Sequence, residues 1–262
     1  MAAPLRIDAV TLPVPNLGRQ GKFYRWVLAM QDAPSASDES LVLGWGKEDR
    51  IELIDAATES AEEAVTLRLP AMTVEAAAGW LAERGLAPTT VIVPESHLPD
   101  AREAWPEAAV EVAPGADGLM LTVRGRVEPR IDLHIPLPGT TTATATAEAT
   151  ESTGLEVPGL LGVTTGAANL ESARGYLALF GIEPLDPSAE KGPLRVGDQQ
   201  WIVEEREPAG IYGIAVVIEL DRIKDLVRTL ERLGAEHRHE RNRLLALDPA
   251  GRILMVHGLK GG

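Results

Sequence analysis

Few side chains in this sequence could do chemistry. Cysteine is absent, and the histidines number five: His97, His134, His237, His239 and His257. Thiolate nucleophiles, disulfides and Cys-ligated metals are therefore excluded, which leaves imidazole and carboxylate groups. In an extended segment side chains alternate between two faces, so residues two apart share one. His257 then shares a face with Met255, and His134 with Asp132. Each is a candidate metal ligand or general base, set against the plainer role of a partly buried strand-end histidine. His237-Arg238-His239 also puts two imidazoles on one side, but Glu236 to Arg243 is so polar that a solvated hairpin is expected. The chain has no Gly-rich phosphate loop, Gly-x-Ser-x-Gly elbow or His-Glu-x-x-His helix. Trp45 and Trp201 lie on or beside strand-like runs, where each ring could stack on a planar ligand or pack in the core.

The elements that must position these groups repeat. Ile7 to Val14 alternates apolar with polar or small residues, as a strand does. Pro15-Asn16 breaks it, and the Asn16 side chain can cap a helix that places Phe23, Tyr24, Val27 and Leu28 mostly on one side. The unit returns as Leu160 to Ala168, then Asn169-Leu170, then a helix ending near Tyr176 to Gly181. Such self-similarity fixes the architecture before any single motif is weighed.

This frame resembles the vicinal oxygen chelate superfamily, which includes glyoxalase I, bleomycin-resistance proteins and extradiol ring-cleaving dioxygenases. The family opening, an Ile-Asp-His-Val strand, an Asp-Leu cap and a helix ending Phe-Tyr-x-x-x-Leu-Gly, corresponds here to Ile7-Asp8-Ala9-Val10, Asn16-Leu17 and Phe23 to Ala29. A second family feature, the Asp-Pro-x-Gly turn before a module's last strand, is matched by Asp248-Pro249-Ala250-Gly251. The fold class implied is α+β, as two tandem domains, each of paired βαβββ modules that form a cupped mixed sheet. Domain boundaries at 1–137 and 158–262 follow, separated by residues 138–157, which are rich in Thr, Ala and Glu. That segment has little to bury, so it is expected to be a flexible linker spanning on the order of 25 Å. Arg130 to Ile135 reads as one strand more than the module needs.

Metal-dependent members of the superfamily hold one divalent ion inside a cup. The resemblance implies ligands on a module's first strand and a Glu on a last strand, converging within about 2.0–2.3 Å of the ion. Carried onto this chain, the first-strand positions are Ala9, Thr66, Gly162 and Ala215, and the last-strand positions Glu52, Thr122, Ile202 and Met255. Glu52 alone among them is a ligand type. No metal and no cofactor is therefore expected. The cavity-lining candidates are Ala9, Glu52, Thr66, Thr122, Gly162, Ala215, Met255 and His257.

Composition narrows the partners. Hydrophobic content of 45% and charged content of 24% suit a soluble globular protein. A net charge of -14 argues against nucleic acid and against anionic membrane surfaces, both of which need Lys and Arg. No run of about 18 apolar residues could span a bilayer, and the start of the chain does not read as a secretory signal. The expectation is a cytoplasmic monomer or homodimer that binds a small organic ligand in a cupped sheet without metal. Two alternatives stand beside it: a metal-dependent lyase or extradiol-type dioxygenase with relocated ligands, such as Glu52 with His134 or His257, and a non-catalytic regulatory or partner-binding protein.

Overall fold

The computed structural model describes residues 5–33, 39–45, 49–59, 61–125, 128–138, 158–189 and 191–259. Apart from residue 138, the expected linker lies outside them. The first half opens with β1 (Arg6–Val14), α1 (Leu17–Leu28), β2 (Gln31–Ala33), β3 (Ser40–Gly44) and β4 (Arg50–Asp55). It continues with β5 (Ala64–Arg68), α2 (Val74–Ala82), β6 (Pro88–Val93), α3 (Leu98–Ala104), β7 (Ala109–Val112), β8 (Gly118–Val123) and β9 (Arg130–Pro136). These strands make a nine-stranded mixed sheet in the order β2-β3-β4-β1-β5-β9-β8-β6-β7.

The second half repeats the scheme. It runs β10 (Gly159–Ala167), α4 (Leu170–Ala178), β11 (Glu183–Pro184), β12 (Leu194–Val196), β13 (Gln199–Glu205) and β14 (Gly210–Glu219). After α5 (Ile223–Leu233) come β15 (His237–Glu240), β16 (Arg243–Leu247) and β17 (Ile253–Leu259). Their sheet has eight strands, ordered β11-β12-β13-β10-β14-β17-β16-β15.

Local chemistry explains the element ends. Asn16 Oδ1 accepts from the Arg19 amide and Asn169 Oδ1 from the Ser172 amide, both at 2.8 Å, so the two repeats are capped alike. Gly234 closes α5 with φ of 62°, a left-handed conformation that favours glycine. Helix α1 buries Phe23, Tyr24, Val27 and Leu28 under β3 and β4, and α5 buries Ile223, Leu226 and Leu230. Each such side chain contributes about 1.5–3 kcal/mol by leaving water.

One expectation is corrected. The strand Arg130 to Ile135 is not surplus: as part of β9 it pairs in parallel with β5, Thr66 opposite Asp132, and so closes its module. The surplus strand is β7, which follows α3 and pairs in parallel with β6 at the sheet edge. Because β7 and β8 intervene in sequence, the closing role of β9 rests on a long-range pairing.

The halves meet through buried polar groups. Gln199 donates at 3.0 Å to the carbonyls of both Ile7 and Leu160, and its amide oxygen accepts from the Ile7 amide. Asp248 holds the turn before β17, with Oδ1 accepting from the amides of Ala250 and Arg252 at 2.9 Å each. Its Oδ2 accepts from the Tyr24 hydroxyl at 2.9 Å and from the Gln20 amide group, both on α1. Arg252 donates to the Pro13 carbonyl at 2.9 Å and to Glu63 at 3.0 Å.

Candidate functional site

Strand register locates the two cups without reference to any ligand. In the second half Gly162 lies opposite Ala215, Ala215 opposite Met255, and Thr164 opposite Ile202. In the first half Ala9 lies opposite Thr66, Thr66 opposite Asp132, and Thr11 opposite Glu52. The two ladders correspond step for step. The residue of the first half that corresponds to Met255 is therefore Asp132, not Thr122. Thr122 is one strand further out, where its hydroxyl donates to Asp132 Oδ1 at 2.9 Å.

In the second half these positions surround open space. A cavity of about 340 Å³ is bordered by Gly162, Ile202, Ala215, Met255 and His257, with Arg206 and Arg243 among its other walls. Gly162 is a glycine for a steric reason. A Cβ placed there would sit 2.0 Å from the backbone oxygen of Gln200, so no side chain fits while β10 and β13 keep their spacing. His257 is half-buried, and burial, followed by the charge of Arg243, pushes its imidazole below its ordinary pKa. At neutral pH it is an uncharged donor and acceptor. Arg243 faces it across the β16–β17 pair and places Nη2 3.3 Å from Met255 Sδ.

The first-half cup is ionic and internally paired. Glu52 accepts from Thr11 Oγ1 at 3.1 Å. Asp132 is gripped by Arg130, with Nη2 at 2.9 Å from one oxygen and Nε at 3.1 Å from the other. Further along the same face, Asp8 Oδ2 lies 3.0 Å from Arg50 and 3.4 Å from His134 Nδ1. The opposite ring nitrogen of His134 is 3.2 Å from Asp117. Burial alone would raise the Asp8 carboxyl, but the close approach of the His134 ring and the charges of Arg50 and Arg68 outweigh it and hold the group below the usual carboxylate range.

A divalent ion does not fit either set of positions. Gly162, Ala215, Ile202 and Met255 offer it no charged oxygen or imidazole nitrogen. In the first half Ala9 has no donor atom, Thr66 is a hydroxyl, and a guanidinium occupies both oxygens of Asp132. His134 turns its two nitrogens to carboxylates on opposite sides. Among the described residues no three His, Asp or Glu side chains come together as an ion would need.

The remaining candidates resolve into structural roles. Trp201 is fully buried, donating from Nε1 to Thr165 Oγ1 at 2.9 Å, so it faces the core instead of the cup. Trp45 donates to the Leu28 carbonyl at 2.8 Å and helps finish α1. His237 and His239 lie in the β15–β16 hairpin, each bonded to a nearby backbone carbonyl at 3.0 and 2.9 Å. His97 stands 3.8 Å from Asp100 at the start of α3. Sequence reasoning missed Asp132 as the closing-strand acid, and Arg243 and Arg206 as cavity walls. The alternation Asp132/His134 was a usable signal for the first, whereas both arginines sat in polar runs.

No protein-family model matches the chain, and no curated protein sequence does. Solved structures do. The 2,3-dioxygenase LapB from Pseudomonas sp. KL28 aligns with a TM-score of 0.61 at 13% identity, over 99% of this chain and 93% of that one. A catechol 2,3-dioxygenase aligns at 0.62 and 16% identity, over 97% and 87%. A variant of homoprotocatechuate 2,3-dioxygenase from B. fuscum aligns at 0.64 and 14%, over 99% and 72%. At such identities the likeness concerns the fold, and one fold hosts many chemistries. No helix among the described residues is long and apolar enough to cross a membrane. Paired βαβββ units, two cupped mixed sheets and alignment over nearly the whole length agree: the chain has the two-domain fold of the vicinal oxygen chelate superfamily.

Proposed function

We propose that this protein binds a small organic ligand in the cup of its second half, without a metal ion. One observation carries the reading. The positions that supply metal ligands elsewhere in this fold are here Gly162, Ile202, Ala215 and Met255, and they border a cavity of about 340 Å³. Apolar walls with a few placed polar groups are the usual make-up of a small-molecule site. His257 is such a group, uncharged at neutral pH and able to fix a ligand's orientation.

Met255→Trp is expected to abolish ligand binding by filling the cavity. Overpacking can itself cost about 1–3 kcal/mol, so the variant is first shown to be folded by circular dichroism and thermal melting. His257→Ala is expected to weaken polar ligands more than apolar ones. A folded Met255→Trp protein that still takes up ligands found by a thermal-shift screen sinks the reading.

Metal analysis is the second check. Protein purified without chelators is expected to carry no stoichiometric Mn, Fe, Ni or Zn at either cup. A full equivalent of any of them bound near Glu52 or His257 favours the dioxygenase-type alternative, which the fold itself admits.

A further inference from the structure

The walls of the second-half cavity carry an imbalance of charge that says more about its occupant. They include two guanidinium groups, Arg206 and Arg243, against one carboxylate, Glu204. The excess is positive although the chain as a whole carries -14. Among the described residues, neither arginine is ion-paired. Arg206 lies 3.7 Å over the ring of Tyr212. Arg243 has as its neighbour the thioether of Met255, at 3.3 Å, and sulfur is a weak acceptor for a charged donor. Other arginines of this protein behave differently: Arg50, Arg130 and Arg252 each hold a carboxylate at 3.0 Å or less. Arg243 therefore presents its fork toward the cavity with no anion to receive it.

We infer that the ligand is a monocarboxylate with an apolar body, its carboxylate taken by Arg243 and its body lying on Ile202, Ala215 and Met255. This rests on the reading that the second-half cup is the binding site. A guanidinium matches a carboxylate in a planar two-pronged geometry, which makes such pairs shorter and stronger than neutral hydrogen bonds. The floor sets the other half of the specificity. The side chains of Ile202, Ala215 and Met255 offer no strong hydrogen bond, so the part of the ligand that lies on them is apolar, while Thr164, Gln200 and Tyr212 complete the lining with polar groups. Glu204 in the same wall disfavours a second negative charge, which selects a monoanion over a phosphate or a dicarboxylate. His257, paired across the strands with Arg243, can supply a further hydrogen bond beside the carboxylate.

The test compares cyclohexanecarboxylate with cyclohexanecarboxamide, equal in shape and different in charge, by calorimetry or ligand-observed NMR at millimolar concentration. The wild-type protein is expected to bind the carboxylate roughly ten- to a hundredfold more tightly, as for a hydrogen bond to a charged group. Arg243→Gln is expected to erase that preference, bringing the two compounds to similar affinity. Met255→Trp, once shown to be folded, is expected to lose both compounds. Equal affinity for the two compounds in the wild type, both lost in Met255→Trp, overturns the carboxylate inference and leaves the cup as the binding site. A preference that survives Arg243→Gln overturns it as well. Binding of either compound that persists in folded Met255→Trp overturns the cup reading, and with it this inference. No binding of either compound by the wild type overturns the inference.

Discussion

Asp248→Ala is expected to destabilise the protein by about 3–5 kcal/mol in chemical denaturation. Its carboxylate is buried and receives four donors, two turn amides of its own half and the Tyr24 and Gln20 side chains of the other. Hydrogen bonds to charged groups contribute about 1.5–3 kcal/mol each, and a buried polar group left without its partner costs about 1–3 kcal/mol. Such terms do not add within one network, hence the lower total. Asp248→Asn keeps an oxygen for the turn amides and should cost markedly less. A second signature follows from Tyr24. Burial, then the Asp248 charge, raises its phenol well above the usual value. A group whose folded pKa is raised stabilises fully below its unfolded pKa, about 10 for tyrosine. That contribution is lost as pH rises further, so the wild type should lose stability above about pH 10. Asp248→Ala removes two of the causes and should flatten that loss. A cost below about 1 kcal/mol for Asp248→Ala would show that the network does not bear on stability.

Trp201→Ala should be comparably severe, about 3–5 kcal/mol, the range for deleting a large core aromatic. The indole is fully buried and its ring nitrogen has a partner in Thr165, so the variant leaves both a large void and an unpaired hydroxyl. Trp201→Phe, which keeps most of the volume, should cost less. Trp201 sits between Gln200 and Ile202, whose side chains reach the cup on the other face of β13. Ligand affinity in Trp201→Phe should therefore stay near wild type, whereas a ring that stacked on the ligand would lose affinity in step with stability.

Much of the fold was legible because its signals are local. Asn16 and Asn169 announce their helices within three residues, and Asp248-Pro249-Ala250-Gly251 announces its turn. Period-two alternation likewise puts Met255 and His257 on one face of β17. What escaped is what depends on distant partners. The strand β9 joins β5 across more than sixty residues, and no local pattern distinguishes it from β7 as the module's closing strand. Asp248 is readable as a turn residue, but Gln20 and Tyr24 lie 228 and 224 positions away. Arg243 sits in a charged run that reads as solvated surface, and only the pairing with His257 turns it toward the cup.

The glycine at 162 has a consequence for anyone who would build an iron or manganese enzyme on this scaffold. A histidine cannot be introduced there by changing one codon, because the Gln200 carbonyl occupies the place of its first carbon. The backbone of β10 would have to move before the new ligand could help, so every intermediate sequence would be less stable than its parent. The other half is the easier starting point. Ala9 already carries a Cβ, Glu52 stands on the neighbouring strand, and Asp132 would be released by removing its two partners, the Arg130 guanidinium and the Thr122 hydroxyl. Of two copies of one module pair, one is thus still open to retrofitting and the other is closed by the width of a single carbonyl.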